Sequence, residues 1–232
     1  MAITNAEESA ALSILEGAEW DVNGLEVSLV SWNVDGLDGN SLATRMKAVY
    51  KVVSNNIFSL NPDFVFLQEV VGRELPTIER LSKLYDIYYS NKDYLYFTAI
   101  LVSKSFEVDS HYVIHYQNSG MGRTLQIIEV THCFLIDGRI GEQQVFLLNT
   151  HLESMKEHSR ARKEQFQLCM DKIREIITAN PNCLLFFGGD LNIRDDEVPS
   201  VARPLCHAIH RFFSGNFLFR SQTYHEVLRM LG

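Results

Sequence analysis

The 232-residue sequence lacks any long hydrophobic run, and no segment approaches the roughly 20 apolar residues that a membrane-spanning helix needs. Its first residues, MAITNAEESA, lack the basic and apolar regions of a secretory signal peptide. Basic residues are in the minority, with 21 against 29 acidic ones and a net charge of −8. This balance disfavours wholesale electrostatic binding to nucleic acid or to an anionic membrane. We therefore expect a soluble intracellular protein with no membrane partner, in which a local basic cleft or an acidic metal site is still allowed.

Cysteine is also scarce, and none of the four cysteines belongs to a Cys-x-x-Cys pair. They are Cys133, Cys169, Cys183 and Cys206. Most of them lie within apolar segments, which is typical of buried, reduced thiols in a cytosolic or nuclear protein. His207 and His210 follow the last cysteine, but no second pair of ligands is near in the sequence. This pattern disfavours a structural zinc site.

Strand patterns and helix patterns alternate in the first part of the chain. Residues 26–34, EVSLVSWNV, and residues 63–70, DFVFLQEV, are apolar and rich in strand-forming types. The segment ELPTIERLSKL then predicts a short helix. Between the two strands, residues 41–53 predict a helix with four apolar side chains on one face: Leu42, Met46, Val49 and Val53.

Strands dominate the middle of the chain, because residues 85–152 consist of apolar runs interrupted by turn-forming segments such as NSGMG and DGRIGE. Residues 183–192, CLLFFGGDLN, give the last clear strand pattern. Since strands outnumber helices and hairpins mix with crossovers, the sequence predicts a two-sheet, four-layer α/β sandwich rather than a doubly wound parallel sheet. A long helix is predicted over residues 159–180, ended by Asn180-Pro181, with five residues inward: Phe166, Cys169, Met170, Ile173 and Ile177.

Four predicted strands end in polar side chains that a buried strand does not need. They are SWNVDG with Asn33 and Asp35, FLQEV with Gln68 and Glu69, LNTHLES with Asn149, His151, Glu153 and Ser154, and GGDLN with Asp190 and Asn192. Each has an ordinary explanation alone, as a turn, a surface strand end, a core histidine or a cap. A carboxylate beside a run as apolar as FVFLQ is costly unless it is paired or bound to a metal. The fourfold recurrence favours one shared site.

Carboxylates, amides and a histidine are the groups that metal-assisted phosphodiester hydrolysis requires. A hard Mg²⁺ ion prefers carboxylate oxygens, and it polarises a phosphoryl oxygen. An aspartate can orient and deprotonate the attacking water, while asparagine and histidine hold the non-bridging oxygens. Gly188 and Gly189, which precede Asp190, are expected to let the backbone approach the phosphate.

The motifs SWNVDGL, FLQEV, LLNTHLES and FFGGDLNIRDDEV resemble the successive motifs of the endonuclease/exonuclease/phosphatase superfamily. The exact residues of these motifs are similar to those of the type-2 (5′) tyrosyl-DNA phosphodiesterases, which remove a trapped topoisomerase tyrosine from a 5′ DNA phosphate. The resemblance covers residues 27–201. It implies a DNA-repair hydrolase that uses Mg²⁺, or Mn²⁺ as an alternative, on the 5′ end of DNA carrying a tyrosyl-linked topoisomerase remnant. It also implies a location in the nucleus, including nuclear bodies, and in the cytoplasm.

Carried over residue by residue, the resemblance implies that Glu69, assisted by Asp35, holds the metal ion and that Asp190 is the catalytic acid/base. It implies three groups that contact the scissile phosphate: Asn33, His151 and Asn192. It also implies contacts to the DNA and to the tyrosyl side of the substrate from Gly36, Leu37, Ser154, Lys156, Arg194, Tyr96 and Arg123. From the residues alone, Tyr96 is equally well interpreted as a core aromatic as it is as a substrate contact. Arg123 is equally well interpreted as a surface cation beside a turn.

Basic residues cluster after the third motif, and they are either a phosphate-facing patch or a solvated helix face. They are Lys156, Arg160, Arg162 and Lys163.

Both ends of the chain depart from the family pattern. Residues 202–232 lack the Asp-His pair of the family's last strand, so we expect a divergent tail after an incomplete catalytic domain, residues 26–201, without the family's C-terminal strands. Residues 1–25 predict a helical remnant of a ubiquitin-associated domain, which would bind a ubiquitin-type partner only if it were complete. These departures leave open a catalytically weak or inactive variant that acts as an interaction protein. An RNA or phosphoinositide substrate also stays open, because a fold does not determine a function.

Overall fold

The computed structural model describes residues 18–22, 25–54, 62–136, 139–194, 196–197 and 217–219. The chain divides into two compact units, Met1–Phe106 and Glu107–Gly232, and each contains a five-stranded sheet. Within the ranges given, no helix is both long and apolar enough to span a membrane.

The first unit contains β1 (Ala18–Val22), β2 (Leu25–Asn33), α1 (Leu42–Ser54), β3 (Phe64–Val70), α2 (Leu75–Glu79), β4 (Tyr85–Tyr89) and β5 (Phe97–Ser103). The strand order is β1-β2-β3-β5-β4, and only β2 and β3 are parallel among these described strands. Helix α1 belongs to the crossover that this parallel pair requires. The predicted apolar face of α1 is confirmed, because all four of its residues are at most 4% exposed.

Residues 18–22 form strand β1, so the helix predicted over residues 1–25 is wrong for this segment. Strand β1 pairs antiparallel with β2 along its whole length. The two strands are separated in the sequence by Asn23-Gly24, which is the strongest short-range signal for a hairpin. This local signal outweighs the apolar spacing that favours a helix. Residues 1–17 lie outside the described residues, and the likeness to a ubiquitin-associated domain stays a prediction.

The second unit contains β6 (Glu107–His115), β7 (Thr124–Ile136), β8 (Arg139–His151), α3 (Ser159–Ala179), β9 (Leu184–Asp190) and β10 (Phe217–Phe219). Its strand order is β10-β9-β8-β7-β6, and β9 runs parallel to both of its neighbours. Helix α3 forms where the sequence predicts it. Of its five predicted inward residues, four are at most 1% exposed, and Ile177 packs against the same core while partly buried.

Strand β10 lies within the predicted divergent tail and pairs with β9 through three residues. The sequence pattern predicts residues 183–192 as the last strand. This prediction is wrong, because β10 follows β9 in the chain. The apolar run Phe217–Phe219 is short, which weakens its strand signal in the sequence. Residues 198–216 and 220–232 lie outside the described residues, so the predicted lack of the family's last strands stays a prediction.

The described cysteines are only partly as predicted. Cys169 and Cys183 are buried, and burial raises the pKa of their thiols to about 12 and about 11. Cys133 is exposed. The alternation of side chains along β7 puts it on the other side from buried neighbours such as Val130, and Cys206 lies outside the described residues.

Buried strands end in polar residues in both units. Strand β3 is buried at every position except Glu69. Strand β9 is buried over its first five residues, and its last two, Gly189 and Asp190, are half-buried. Glu69 and Asp190 are thus half-buried carboxylates beside fully buried strand residues.

Candidate active site

Asn33, Asp35 and Glu69 form a polar group at the ends of β2 and β3 in the first unit. The side-chain amide of Asn33 donates from Nδ2 to Glu69 Oε1 over 3.1 Å. Its Oδ1 atom accepts the backbone N–H of Asp35 at 2.9 Å. Because β2 and β3 are parallel neighbours, their carboxyl ends meet at one edge of the sheet. Asn33 therefore ties the carboxylate of one strand to the loop that follows the other.

Glu69 lies in an irregular part of β3. The pairing of β3 with β5 shifts between Leu67 and Val70, and Glu69 has a φ of 58°, which a residue with a side chain rarely adopts. A bulge of this kind re-aims a side chain beside a functional site. Here it leaves the Glu69 carboxylate half-buried, while Leu67 and Val70 on either side are fully buried.

Gly36 packs directly on the backbone of Glu69. A Cβ atom at Gly36 would lie 2.0 Å from the carbonyl oxygen of Glu69 and 2.9 Å from a methyl group of Val71. Only glycine fits this position without moving the bulge. The predicted contact of Gly36 with a substrate is thus accompanied by a structural requirement that the sequence did not reveal.

Arg45 of α1 organises the loop after β2, and sequence reasoning missed it. Its Nη2 atom donates to the carbonyl oxygens of Asp35 and Asp38, at 2.7 Å each, and its Nη1 atom donates to Asn40. The guanidinium also lies 3.9 Å from the Asp35 carboxylate, whose side chain is 58% exposed. Arg45 thereby fixes a loop that presents Asp35 and the exposed Leu37 to solvent.

Tyr96 immediately precedes β5 and is half-buried. It packs against the hydrophobic core of the first unit. This position agrees with the interpretation of Tyr96 as a core aromatic. The contact of Tyr96 with a tyrosyl group stays a prediction.

His151 and Asp190 form the centre of a second polar group, in the second unit. They are partners in the register of the parallel strands β8 and β9. The Nε2 atom of His151 lies 3.5 Å from Asp190 Oδ2. On the other side of the ring, Nδ1 accepts a hydrogen bond from Nη1 of Arg123. An arginine guanidinium only donates, so Nδ1 is the acceptor and the imidazole proton lies on Nε2, toward Asp190.

The His151 ring is neutral at physiological pH. The residue is 2% exposed, and its burial, followed by the positive charge of Arg123, holds the pKa of His151 well below its ordinary value of 6.5. The Asp190 side chain is 30% exposed. The pair therefore presents a neutral N–H donor beside a carboxylate that solvent can reach.

Asn192 connects the loops that follow β8 and β9. Its backbone N–H donates to Asp190 Oδ1 at 3.1 Å, and its Nδ2 atom donates to the carbonyl oxygen of Leu152 at 3.1 Å. The φ of Asn192 is 51°, a conformation that asparagine tolerates better than most residues. The Leu152 N–H in turn donates to the Asp190 carbonyl oxygen. Asp190 is thus held in orientation by its own loop.

Gly189 is required by the pairing of β9 with β8. It has a φ of 126°, and a Cβ atom would lie 1.9 Å from the carbonyl oxygen of Thr150. The structural reason for glycine here is close contact between two strands. Approach of Gly188 and Gly189 to a phosphate stays a prediction.

Arg162 contradicts both interpretations of the basic cluster, the phosphate-facing patch and the solvated helix face. It is fully buried, and its guanidinium binds the carboxylate of Glu197. The helical period contained the missing signal, because Arg162 lies four residues before Phe166, on the predicted inward face. Glu153, which the sequence placed among the polar strand ends, is also fully buried, and it accepts hydrogen bonds from Ser119 Oγ and from the Gly120 N–H.

The predicted substrate-binding residues of the second unit differ in exposure. Lys156 and Arg194 are exposed, as a contact with DNA requires. Ser154 is half-buried, and its Oγ atom lies 3.2 Å from Met121 Sδ. Arg123 is only 6% exposed, so the reading of Arg123 as a surface cation is wrong.

The two polar groups have complementary chemistry. The first offers the carboxylate oxygens of Asp35 and Glu69, which are the ligand type that a hard divalent cation prefers. The second offers a carboxylate, a neutral imidazole donor and an amide, which suit proton transfer and the binding of phosphate oxygens.

Comparison with known proteins gives consistent results. The Endonuclease/Exonuclease/phosphatase family matches residues 30–224. A protein of Caenorhabditis briggsae named 5′-tyrosyl-DNA phosphodiesterase is 59% identical over 181 residues, which are 78% of this chain and 48% of that protein. The chain spans about half the length of the curated relatives that it matches.

Solved structures agree with these matches. The crystal structure of truncated Caenorhabditis elegans TDP2 has a TM-score of 0.66 and 61% identity, covering 75% of this chain and 66% of that one. The crystal structure of D. rerio TDP2 complexed with single strand DNA product has a TM-score of 0.65 and 33% identity, covering 75% of this chain and 64% of that one. Together with the two sheets, these similarities confirm the predicted fold class. The chain belongs to the endonuclease/exonuclease/phosphatase family.

Proposed function

We propose that this chain is a Mg²⁺-dependent phosphodiesterase that hydrolyses the 5′-phosphotyrosyl bond between DNA and a trapped topoisomerase remnant, in DNA repair. The observation that carries the proposal is the neutral Nε2–H of His151 beside the solvent-accessible carboxylate of Asp190. The names of the relatives support the substrate class, and one relative's structure holds a single-strand DNA product.

The residues of the first unit fit a divalent cation. Asp35 and Glu69 supply carboxylate oxygens, and the Asn33 amide fixes Glu69 from one side. We assign Mg²⁺ to these oxygens, with Mn²⁺ as an alternative of similar ligand preference. When bound, such a cation polarises a phosphoryl oxygen and neutralises charge on the leaving oxygen.

The residues of the second unit fit the transfer of a proton at phosphorus. Asp190 takes a proton from the attacking water as the new P–O bond forms, and it returns the proton as the bond to the tyrosine oxygen breaks. The products are a 5′-phosphate and a free tyrosine hydroxyl. His151, through Nε2–H, and Asn192 donate to the non-bridging oxygens on which charge develops, and Asn33 has the same role in the first unit.

The exposed residues beside this group fit the DNA strand. We assign Lys156 and Arg194 to backbone phosphates, because both are exposed cations that follow β8 and β9. Ser154 lies in the same loop as Lys156. We assign the tyrosyl side of the substrate to the loop residues Gly36 and Leu37 and to Tyr96. Arg123 acts on the same side of the substrate through His151.

The location of the protein follows from this substrate. A protein-linked DNA end occurs where topoisomerases act on chromosomes, so we place the protein in the nucleus, with a further pool in the cytoplasm. Imaging of the tagged chain in its own cells tests this, and complete exclusion from nuclei contradicts it.

A substrate panel tests the proposed activity. The purified chain is expected to release tyrosine from a 5′-phosphotyrosyl oligonucleotide with Mg²⁺, and to lose this activity with a chelator. Glu69→Gln is expected to lower the rate by about 100-fold or more, since a metal ligand is lost. Glu79→Gln is the matched control, because Glu79 is exposed and lies in a surface ion pair with Lys92.

Other outcomes of the panel contradict the proposal. A folded chain that releases no tyrosine is an interaction protein rather than an enzyme. Faster cleavage of an RNA or a phosphoinositide phosphate assigns the same residues to another substrate.

A further inference from the structure

Arg162 lies in the first turn of α3 and has no exposed surface. Its guanidinium makes four hydrogen bonds to two loops. The Nε and Nη2 atoms donate to the two carboxylate oxygens of Glu197, at 2.9 Å and 2.5 Å. The Nη1 atom donates to the carbonyl oxygens of Glu153 and Met155, at 2.8 Å and 2.9 Å. One buried side chain therefore binds both the loop after β8 and the loop after β9.

Glu197 also binds the backbone of its own loop, the loop after β9. Its Oε2 atom accepts the backbone N–H of Arg194 at 3.1 Å, and its own N–H donates to the Arg194 carbonyl oxygen at 2.8 Å. Burial raises the pKa of Glu197, but hydrogen bonds from Arg162, Ser159 and the Arg194 backbone outweigh it and lower the pKa to about 2. The carboxylate is ionised, so the pair is a buried ion pair.

Such a pair is a weak source of stability, because the cost of desolvating both charges offsets much of their attraction. The pair nevertheless constrains the geometry of the groups that it binds, since the planar fork of arginine fixes the direction of each hydrogen bond. The residues it holds are irregular: Met155 has a φ of 67°, and the loop after β9 has no helix or strand among its described residues. The loops that it joins carry Ser154 and Lys156 on one side and Asn192 and Arg194 on the other.

We propose that Arg162 and Glu197 are positioning residues, which hold these two loops in the arrangement that receives the 5′-phosphorylated end of a DNA strand. The inference rests on the proposed function. Neither residue touches the substrate. Both act through the backbone of the loops whose exposed side chains do.

The test compares three variants with a matched control. In the double variant Arg162→Met/Glu197→Met both buried charges are removed, so the fold is kept while the four directed bonds are lost. Glu197→Gln keeps the shape of the carboxylate side chain, and Arg162→Lys keeps the charge without the fork. Arg174→Met is the control, because Arg174 lies on the same helix in an exposed pair with Asp171.

Two readouts separate positioning from general stability. For the double variant, hydrogen exchange is expected to be about tenfold faster or more in the loops after β8 and β9, and unchanged in the core of β7 and β8. The value of kcat/KM for a 5′-phosphotyrosyl oligonucleotide is expected to fall by about 10- to 100-fold. Arg162→Lys is expected to recover only part of this loss.

Other results of the same two measurements would overturn the proposal. Loop exchange equal to that of the native chain, or an equal rise throughout the sheet, overturns the proposal, as does an unchanged kcat/KM. If the native chain neither hydrolyses nor binds the oligonucleotide, the proposed function fails, and the exchange rates alone then decide whether the pair positions the loops.

Discussion

The Nε2 atom of His151 lies 3.5 Å from Asp190 Oδ2, across the last paired position of β8 and β9. Arg123 binds the opposite nitrogen of the ring. These two contacts select one tautomer, and burial, followed by the positive charge of Arg123, lowers the pKa of the ring and keeps it uncharged, so His151 is a hydrogen-bond donor rather than a base. The proton of the attacking water is therefore assigned to Asp190.

The first prediction concerns pH. The pKa of His151 in the folded chain lies well below its unfolded value of 6.5, so the unfolded chain binds an additional proton as the pH falls below that value. The free energy of unfolding should thus fall with pH below about 6.5 through this residue and be independent of it above. Denaturation of the native chain and of His151→Asn between about pH 5 and 7.5 measures the effect. Equal slopes for the two proteins, or a ring that titrates near 6.5, would refute it.

The second prediction concerns Arg123→Met. This change removes the donor to His151 Nδ1 and leaves a buried acceptor without that bond, which should lower the free energy of unfolding by about 1–3 kcal/mol. Nitrogen chemical shifts of the ring should show that the Nε2–H tautomer is no longer dominant. The exposed Arg174→Met should change the stability by less than about 0.5 kcal/mol. A native tautomer in Arg123→Met would show that Arg123 does not orient the ring.

The third prediction concerns Gly189→Ala. The residue has a positive φ, and the new methyl group would meet the carbonyl oxygen of Thr150 at 1.9 Å. We expect a loss of about 3 kcal/mol or more in the free energy of unfolding, measured in urea. Gly72→Ala is the control, because its added methyl group would meet no heavy atom within 4 Å. Similar stabilities for the two variants would contradict the described packing of β8 and β9.

The fourth prediction concerns Gly36→Ala. The methyl group would press on the Glu69 carbonyl oxygen at 2.0 Å and displace the bulge that aims the Glu69 carboxylate. We expect the Mg²⁺ concentration for half-maximal activity to rise by about 10- to 100-fold. In Gly39→Ala the nearest atom is the flexible end of Arg73, 4.0 Å away, and the metal dependence should be native. The same metal dependence in both variants would separate Gly36 from the metal site.

Much of the fold is predictable from the sequence, because its signals are local. The apolar spacing of residues 41–53 and 159–180 predicts α1 and α3 with their buried faces. The polar ends of the strands identify Glu69 and Asp190, which the structure shows to be half-buried beside the core. Strand β1 is not predicted, because its apolar spacing indicates a helix, whereas the Asn-Gly pair that follows it indicates a hairpin.

The contacts within the site are less predictable, because they depend on register and burial. The bulge at Glu69 follows from a register shift between β3 and β5, which no local pattern encodes. The burial of Arg123 and Arg162 depends on partners that lie 28 and 35 positions away in the chain. A cation beside a turn or on a helix is ordinarily solvated, so the sequence favoured exposure for both.

The measurement that tests the central claim most directly is the single-turnover release of tyrosine from a 5′-phosphotyrosyl oligonucleotide with saturating Mg²⁺, by the native chain and by Asp190→Asn. We predict release by the native chain and a rate about 10²- to 10⁴-fold lower for the variant, with Asp171→Asn, an exposed residue of α3, at the native rate. Equal rates for the native chain and Asp190→Asn, or no release by the folded native chain, would contradict the account.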